Sequence, residues 1–201
     1  MNKIVVGFDP PSICNLGYSI FSVDDKLKKI KMLEAGLVSL QSKYDEEIFD
    51  YDFAVKTAKL EDFLLDFYIN NVVQEIVVEQ QILGTHSNKF MSPFLIAQTN
   101  NMSVTIQRMA YRKNIERHLI HNKTLKKNIS GSGNAKKTEV MEKVINIMGF
   151  EMDYEGLTEK KYIKNYEHVF DSIALVLGKY MGFAYEPLKY ENIFKINRIN
   201  I

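Results

Sequence analysis

Ile4-Val5-Val6-Gly7-Phe8 is an apolar run of strand length that closes on an acid, Asp9, followed by two prolines. Proline lacks an amide hydrogen and has a fixed φ, so Pro10 and Pro11 stop a sheet ladder at this point. A polar turn through Asn15 and Gly17 leads into a second apolar run, Tyr18-Ser19-Ile20-Phe21, which predicts a hairpin. Asp9 is thereby held at the mouth of a sheet. A lone aspartate at a strand end most often serves a turn or caps a helix. Here the pattern repeats. Glu75-Ile76-Val77-Val78-Glu79 is a second strand that closes on an acid, and Asp171 opens an apolar helix. Three carboxylates at element ends point to one site.

The intervening chain is legible from its periods. The second strand runs to about residue 23, residues 24–26 turn, and a third strand covers 29–40, with Gly36 marking a bulge. Phe53, Leu60, Phe63, Leu64 and Phe67 then recur at helical spacing within 44–70. A strand, a helix and the Glu79 strand make a crossover, whose usual hand places the new strand parallel in the same sheet. Residues 80–89 read as a polar loop. Residues 90–112 read as a second helix with Pro93 in its first turn. Residues 115–121 form a further strand and 123–137 the least core-like stretch. Helices follow over 135–148 and from His168, separated by a connecting excursion over 151–167. The apolar face of the second helix, with Met102, Ile106 and Met109, suits a dimer surface or an intradomain core equally.

The chain has 201 residues, enough for one domain with a full core, and its 46% apolar and 25% charged content is ordinary for a soluble protein. Net charge is +1, so a nucleic-acid partner must be read from local clustering. Such a cluster exists: Arg112, Lys113, Arg117, Lys123, Lys126, Lys127, Lys136 and Lys137, with Glu116 the one acid among them. Lysines of this kind give salt-sensitive phosphate contacts and little base specificity. Cys14 is the sole cysteine, which excludes an intrachain disulfide. No apolar run approaches the roughly 20 residues that cross a bilayer, and residues 1–3 lead directly into a strand. The expected setting is a cytoplasm, bacterial or that of a host making a phage or viral protein, with no membrane partner.

Four segments resemble the RuvC family of Holliday-junction resolvases. Gly7-Phe8-Asp9-Pro10-Pro11-Ser12 with Gly17-Tyr18 resembles the family's opening G-I-D-P-G-S and G-Y, and Val78-Glu79-Gln80 resembles its I-E-Q. Gly131-Ser132-Gly133-Asn134-Ala135-Lys136-Lys137 resembles its glycine loop and following lysine. His168-Val169-Phe170-Asp171-Ser172-Ile173-Ala174-Leu175 resembles its closing helix. The resemblance spans the chain to residue 182. It implies an α/β, ribonuclease H-like fold: a mixed five-stranded sheet flanked by helices, over residues 1–184. Residues 185–201 are left as a tail without an assigned role.

The resemblance also implies a chemistry. A phosphodiester is anionic and repels hydroxide. Hard divalent cations held by carboxylates neutralise that charge, activate water and stabilise the leaving oxygen. The implied ligands are Asp9, Glu79, His168 and Asp171, holding two ions per site, Mg2+ or alternatively Mn2+. Lys137 matches the lysine that would stabilise the transition state. The implied activity is magnesium-dependent cleavage of a four-way DNA junction by paired symmetric nicks from a homodimer, in recombination, repair or phage genome processing. The rivals are a nuclease for other branched DNA or RNA–DNA hybrids, a non-catalytic junction-binding module, and an actin-like ATPase. The last needs a second phosphate loop that the sequence lacks, and the glycine loop does not complete G-x-x-x-x-G-K-[ST]. Two departures stand out. Pro11 replaces the family's glycine, and Gln81-Ile82-Leu83 occupies the place of its aromatic wedge, with Phe90 a candidate substitute.

Overall fold

A computed structural model of the chain describes residues 2–12, 15–40, 49–80, 93–149, 151–152, 166–186, 193–194 and 196–201. Strands β1 (Lys3–Ser12), β2 (Asn15–Asp24) and β3 (Lys29–Ser39) form an antiparallel meander. Helix α1 (Phe49–Asn70) crosses over to β4 (Glu75–Gln80), which pairs parallel with β1. Helix α2 (Pro93–Arg112) leads to β5 (Glu116–His121), parallel to β4. Then come α3 (Asn122–Ser130), α4 (Lys137–Met148), the short β6 (Glu151–Met152) and α5 (Glu167–Lys179). Among the described residues the chain finishes with β7 (Ala184–Tyr185), β8 (Ile193–Phe194) and β9 (Asn197–Asn200). The five expected strands stand in the order β5-β4-β1-β2-β3. The tail widens this sheet, because β7 and β9 both add to the outer edge of β3, while β6 pairs with β8.

Side-chain alternation sorts the core into two layers. Val6, Phe8, Ile76 and Val78 face α1 and α2, where they meet Leu60, Leu64, Phe67, Met102 and Ile106. Val5 and Val77 face the other way, toward α5 with α3 and α4 packed beside it. Helix α5 is buried nearly all round, from Val169 to Leu177, because the sheet covers one side and α3 and α4 cover another.

The opening motif's glycines acquire a physical reason here. A Cβ at Gly7 would collide with the Ser172 carbonyl and come within 2.9 Å of Val176, and a Cβ at Gly17 would collide with the backbone of His168. Both glycines let the backbone of α5 lie directly on β1 and β2. Gly17→Ala is therefore expected to lift the start of α5 off the sheet. Overpacking of this kind destabilises by about 1–3 kcal/mol. Urea unfolding measures the loss, and the His168 ring resonances report the displacement. Unchanged resonances would mean that the helix does not sit as described.

Pro10 and Pro11 do not end β1 as expected: the strand runs on to Ser12, which pairs with Asn15, and the prolines interrupt the ladder after Asp9. A second expectation is corrected and two open readings are decided. The irregularity in β3 falls at Leu33 and not at Gly36: Ile20 pairs with Glu34 and Phe21 with Met32, leaving Leu33 unpaired. Gly36 instead makes room for the Tyr18 ring and the Asn197 carbonyl. Residues 122–130, largely within the stretch read as least core-like, form helix α3. Leu125 is its one buried residue, and its ends are set by a His121 cap and by Gly131 at φ 83°. On α2, Met102, Ile106 and Met109 are buried within the domain, so this face is core and not a dimer surface. No helix among the described residues is long and apolar enough to cross a membrane.

Candidate active site

Asp9 ends the ordered pairing of β1, where the register with β2 shifts after Asp9↔Gly17. Its parallel neighbour Glu79 lies one residue beyond the Phe8↔Val78 pair. Both continue the face of Val5 and Val77, so both carboxylates project toward α5. That helix delivers His168 and Asp171 from its first two turns, three residues apart and hence on one side. His168 Nδ1 lies 2.5 Å from Asp9 Oδ2. One ligand-capable atom from each of Asp9, His168 and Asp171 falls within 4.8 Å of the others. Glu79 lies outside this threesome, and its Oε1 accepts a hydrogen bond from Asn122 Nδ2 at 2.8 Å. Lys137 Nζ reaches Asp171 at 2.8 Å and Glu167 at 3.4 Å.

The cluster is short of positive charge. Asp9 is 6% exposed. Burial pushes its carboxyl up to about 7, repulsion from Asp171 and Glu79 adds to that, and the His168 hydrogen bond opposes it. Burial likewise raises Asp171 against the pull of Lys137, and raises Glu79 against the Asn122 hydrogen bond. Burial alone would lower His168, but the hydrogen bond and charge of Asp9 outweigh it and hold the imidazolium above its usual range. Burial also disfavours the Lys137 ammonium, yet the Asp171 charge leaves its pKa raised. Asp9 and His168 thus retain a proton near neutrality that a metal ion would displace.

The donor set fits a hard divalent cation. The carboxylate oxygens suit Mg2+ or Mn2+, the one imidazole is a softer donor beside them, and acids crowded in a buried pocket gain most from a cation that neutralises them. Asp9, His168 and Asp171 converge as candidate ligands. Glu79 stands beside them on the adjacent strand end.

The basic residues divide between the two ends of β5. Lys123, Lys126 and Lys127 lie on α3, just past the end of β5 that adjoins Glu79, and Lys136 and Lys137 start α4. Arg112 and Lys113 lie before β5, at its opposite end, where Arg117 stacks 5.0 Å from the exposed Tyr111 ring. Gln81-Ile82-Leu83 and Phe90 fall outside the described residues. Asn122 and Glu167 are contributors that sequence reasoning passed over. Asn122 carried a usable signal, since it directly follows the strand expected to lie beside Glu79.

By sequence, the chain matches no protein-family model and no curated protein. By structure, it is similar to Thermus thermophilus RuvC in complex with a Holliday junction substrate. The TM-score is 0.64 at 18% identity, over 89% of this chain and 93% of that one. A second T. thermophilus RuvC structure gives a TM-score of 0.60 at 20% identity, over 92% of this chain and 99% of that one. The yeast mitochondrial Holliday junction resolvase Ydc2 gives 0.57 at 17% identity, over 88% of this chain and 77% of that one. The strand order, the crossovers and these neighbours agree: the chain has the ribonuclease H-like α/β fold of the RuvC-type resolvases.

Proposed function

We propose that the chain is a metal-dependent endonuclease that resolves four-way DNA junctions by paired symmetric nicks. The observation that carries this reading is the convergence of buried Asp9 with His168 and Asp171, from elements far apart in the chain. Fold alone does not give function. This chemistry-bearing cluster, on the fold of junction resolvases, is what favours a nuclease over a binding module. Asp9, His168 and Asp171 would hold one divalent ion, and Asp9 with Glu79 a second. When bound, the ions supply charge neutralisation at the phosphate and a water of lowered pKa. Lys137 is tethered between Asp171 and Glu167, which keeps an ammonium at the edge of the cluster, where developing phosphoryl charge is stabilised. Lys123, Lys126, Lys127 and Lys136 would draw the backbone in through salt-sensitive contacts. Arg112 and Lys113, at the far end of β5, would meet a more distant part of a branched substrate. Paired incision needs two sites, which a twofold homodimer supplies.

The deciding experiment compares a labelled four-way junction with linear duplex, flap and RNA–DNA hybrid, with magnesium and with chelator. Paired, magnesium-dependent nicks in the junction support the reading. Cutting of flaps or hybrids instead would move the substrate. Tight binding without cleavage under any divalent metal would overturn catalysis.

The retained proton has a pH consequence. Metal loading must displace it, so at limiting Mg2+ the cleavage rate should rise with pH through about 7, following the Asp9 carboxyl. Saturating Mg2+ should move that rise to lower pH. A profile indifferent to metal concentration would assign the proton elsewhere.

A further inference from the structure

We propose that Asn122 is a positioning residue for Glu79, holding one carboxylate oxygen so that the other is presented to a divalent cation; this rests on the reading of Glu79 as a metal ligand. Asn122 Nδ2 donates to Glu79 Oε1 at 2.8 Å. A glutamate has three side-chain torsions, and at a strand end it turns freely unless something tethers it. The nature of the tether matters. An ammonium or guanidinium in this place would orient the carboxylate but also neutralise it and compete with a metal ion. A neutral amide fixes the carboxylate's direction and leaves its charge available, as outer partners of metal ligands do.

The surrounding geometry shows a fixed mount. The β4–β5 ladder ends at Gln80↔His121, so Asn122 emerges one residue beyond the last pair, beside Glu79. His121 Nδ1 accepts the Lys123 amide at 3.0 Å, which sets the first turn of α3 and with it the direction of the Asn122 side chain. The remainder of α3 is clamped to α5. Leu125 is buried close against Gly178, and Asn128 Nδ2 donates to the Gly178 carbonyl at 2.9 Å. One short helix thus ties the strand bearing Glu79 to the helix bearing His168 and Asp171.

The test is Mn2+ binding to the DNA-free protein, followed by the electron paramagnetic resonance of free Mn2+. It compares wild type, Glu79→Gln and Asn122→Ala, with Asn122→Ser as a second variant that keeps a small polar side chain in the first turn of α3. Asn122→Ala should weaken the Glu79-dependent site about 10–100-fold while the unfolding midpoint stays close to wild type. In cleavage, the Mg2+ concentration for half-maximal rate should rise by a similar factor, with the rate at saturating Mg2+ largely kept. A merely structural residue would instead lower the unfolding midpoint and the saturated rate together. If Glu79→Gln and wild type titrate alike, the ligand reading of Glu79 fails and this proposal falls with it. If Glu79→Gln weakens binding but Asn122→Ala and Asn122→Ser titrate like wild type, the ligand reading stands and the positioning role is overturned.

Discussion

Asp9→Asn is expected to abolish the proposed metal-dependent junction cleavage while leaving the metal-free protein at least as stable as wild type at pH 8. The carboxylate is the proposed ligand on which the cluster converges, bonded to His168 and adjacent to Asp171 and Glu79. A metal held there would supply several kcal/mol of charge stabilisation, on the order of 10^3 in rate. The stability half follows from linkage. The folded protein holds the Asp9 proton up to about pH 7, whereas the unfolded chain releases it near the ordinary aspartate range. The stability gained is therefore fully present at low pH and is lost as pH rises through about 7. His168, also raised, contributes with the same sign. Wild type without metal should become less stable from pH 6 to pH 8, and Asp9→Asn should flatten that slope. Urea unfolding in chelator at the two pH values measures both proteins. An inactive variant that is also less stable than wild type at pH 8 would place the defect in folding.

Glu75→Gln should give the largest stability loss away from the site. Glu75 is fully buried at the start of β4, where it accepts hydrogen bonds from Lys179 and from the Tyr180 hydroxyl, and Lys3 Nζ lies 3.0 Å away. Burial opposes its charge, but these donors win and hold the carboxyl below its usual range. Removing the anion strands the mostly covered Lys179 ammonium and leaves Lys3 with Asp25 as its remaining carboxylate. Breaking such a cluster costs about 3 kcal/mol, roughly 6–12 °C in melting temperature for a chain of this size. A second change, Lys179→Met, should recover part of the loss, since an apolar side chain of similar length removes one stranded charge. A loss below about 1 kcal/mol for Glu75→Gln would mean that both lysines swing out to water.

These cases show what the sequence could and could not disclose. The candidates Asp9, Glu79 and Asp171 stood out because each closes or opens an apolar element, where an acid breaks the local pattern, whereas His168 came from the resemblance of its helix to the family's. The five strands and their crossovers were legible from the change of period near residue 44. Helix α3 was not, since a helix anchored mainly by Leu125 and otherwise rich in lysine has almost no apolar stripe to detect. Met102, Ile106 and Met109 gave a clear stripe, but periodicity shows only that a face is covered, not what covers it. Glu75 passed as an ordinary strand-entry acid. Its partners Lys3 and Lys179 are distant in sequence, and nothing local marks an acid that will be buried. The tail strand β9 was invisible for a related reason. Four residues carry little pattern, and their place against β3 is set by Gly36–Ser39 and by Arg198 against Tyr166.

Helix α5 and strand β4 work as two rulers of one length. Glu75 and Glu79 are four residues apart on a strand, about 13 Å, while Asp171 and Lys179 are eight apart on a helix, about 12 Å. The bond from Lys179 to Glu75 pins the rulers at one end, and the candidate ligands meet at the other. His168 and Asp9 are separated by 159 residues, so the two rulers meet only after most of the chain has been laid down. Contacts of such long sequence separation form late and cooperatively in folding. A chain emerging during synthesis consequently carries Asp9 and Glu79 for most of its length without His168 or Asp171. The order of residues along the chain thus leaves the candidate site unassembled until synthesis is nearly complete.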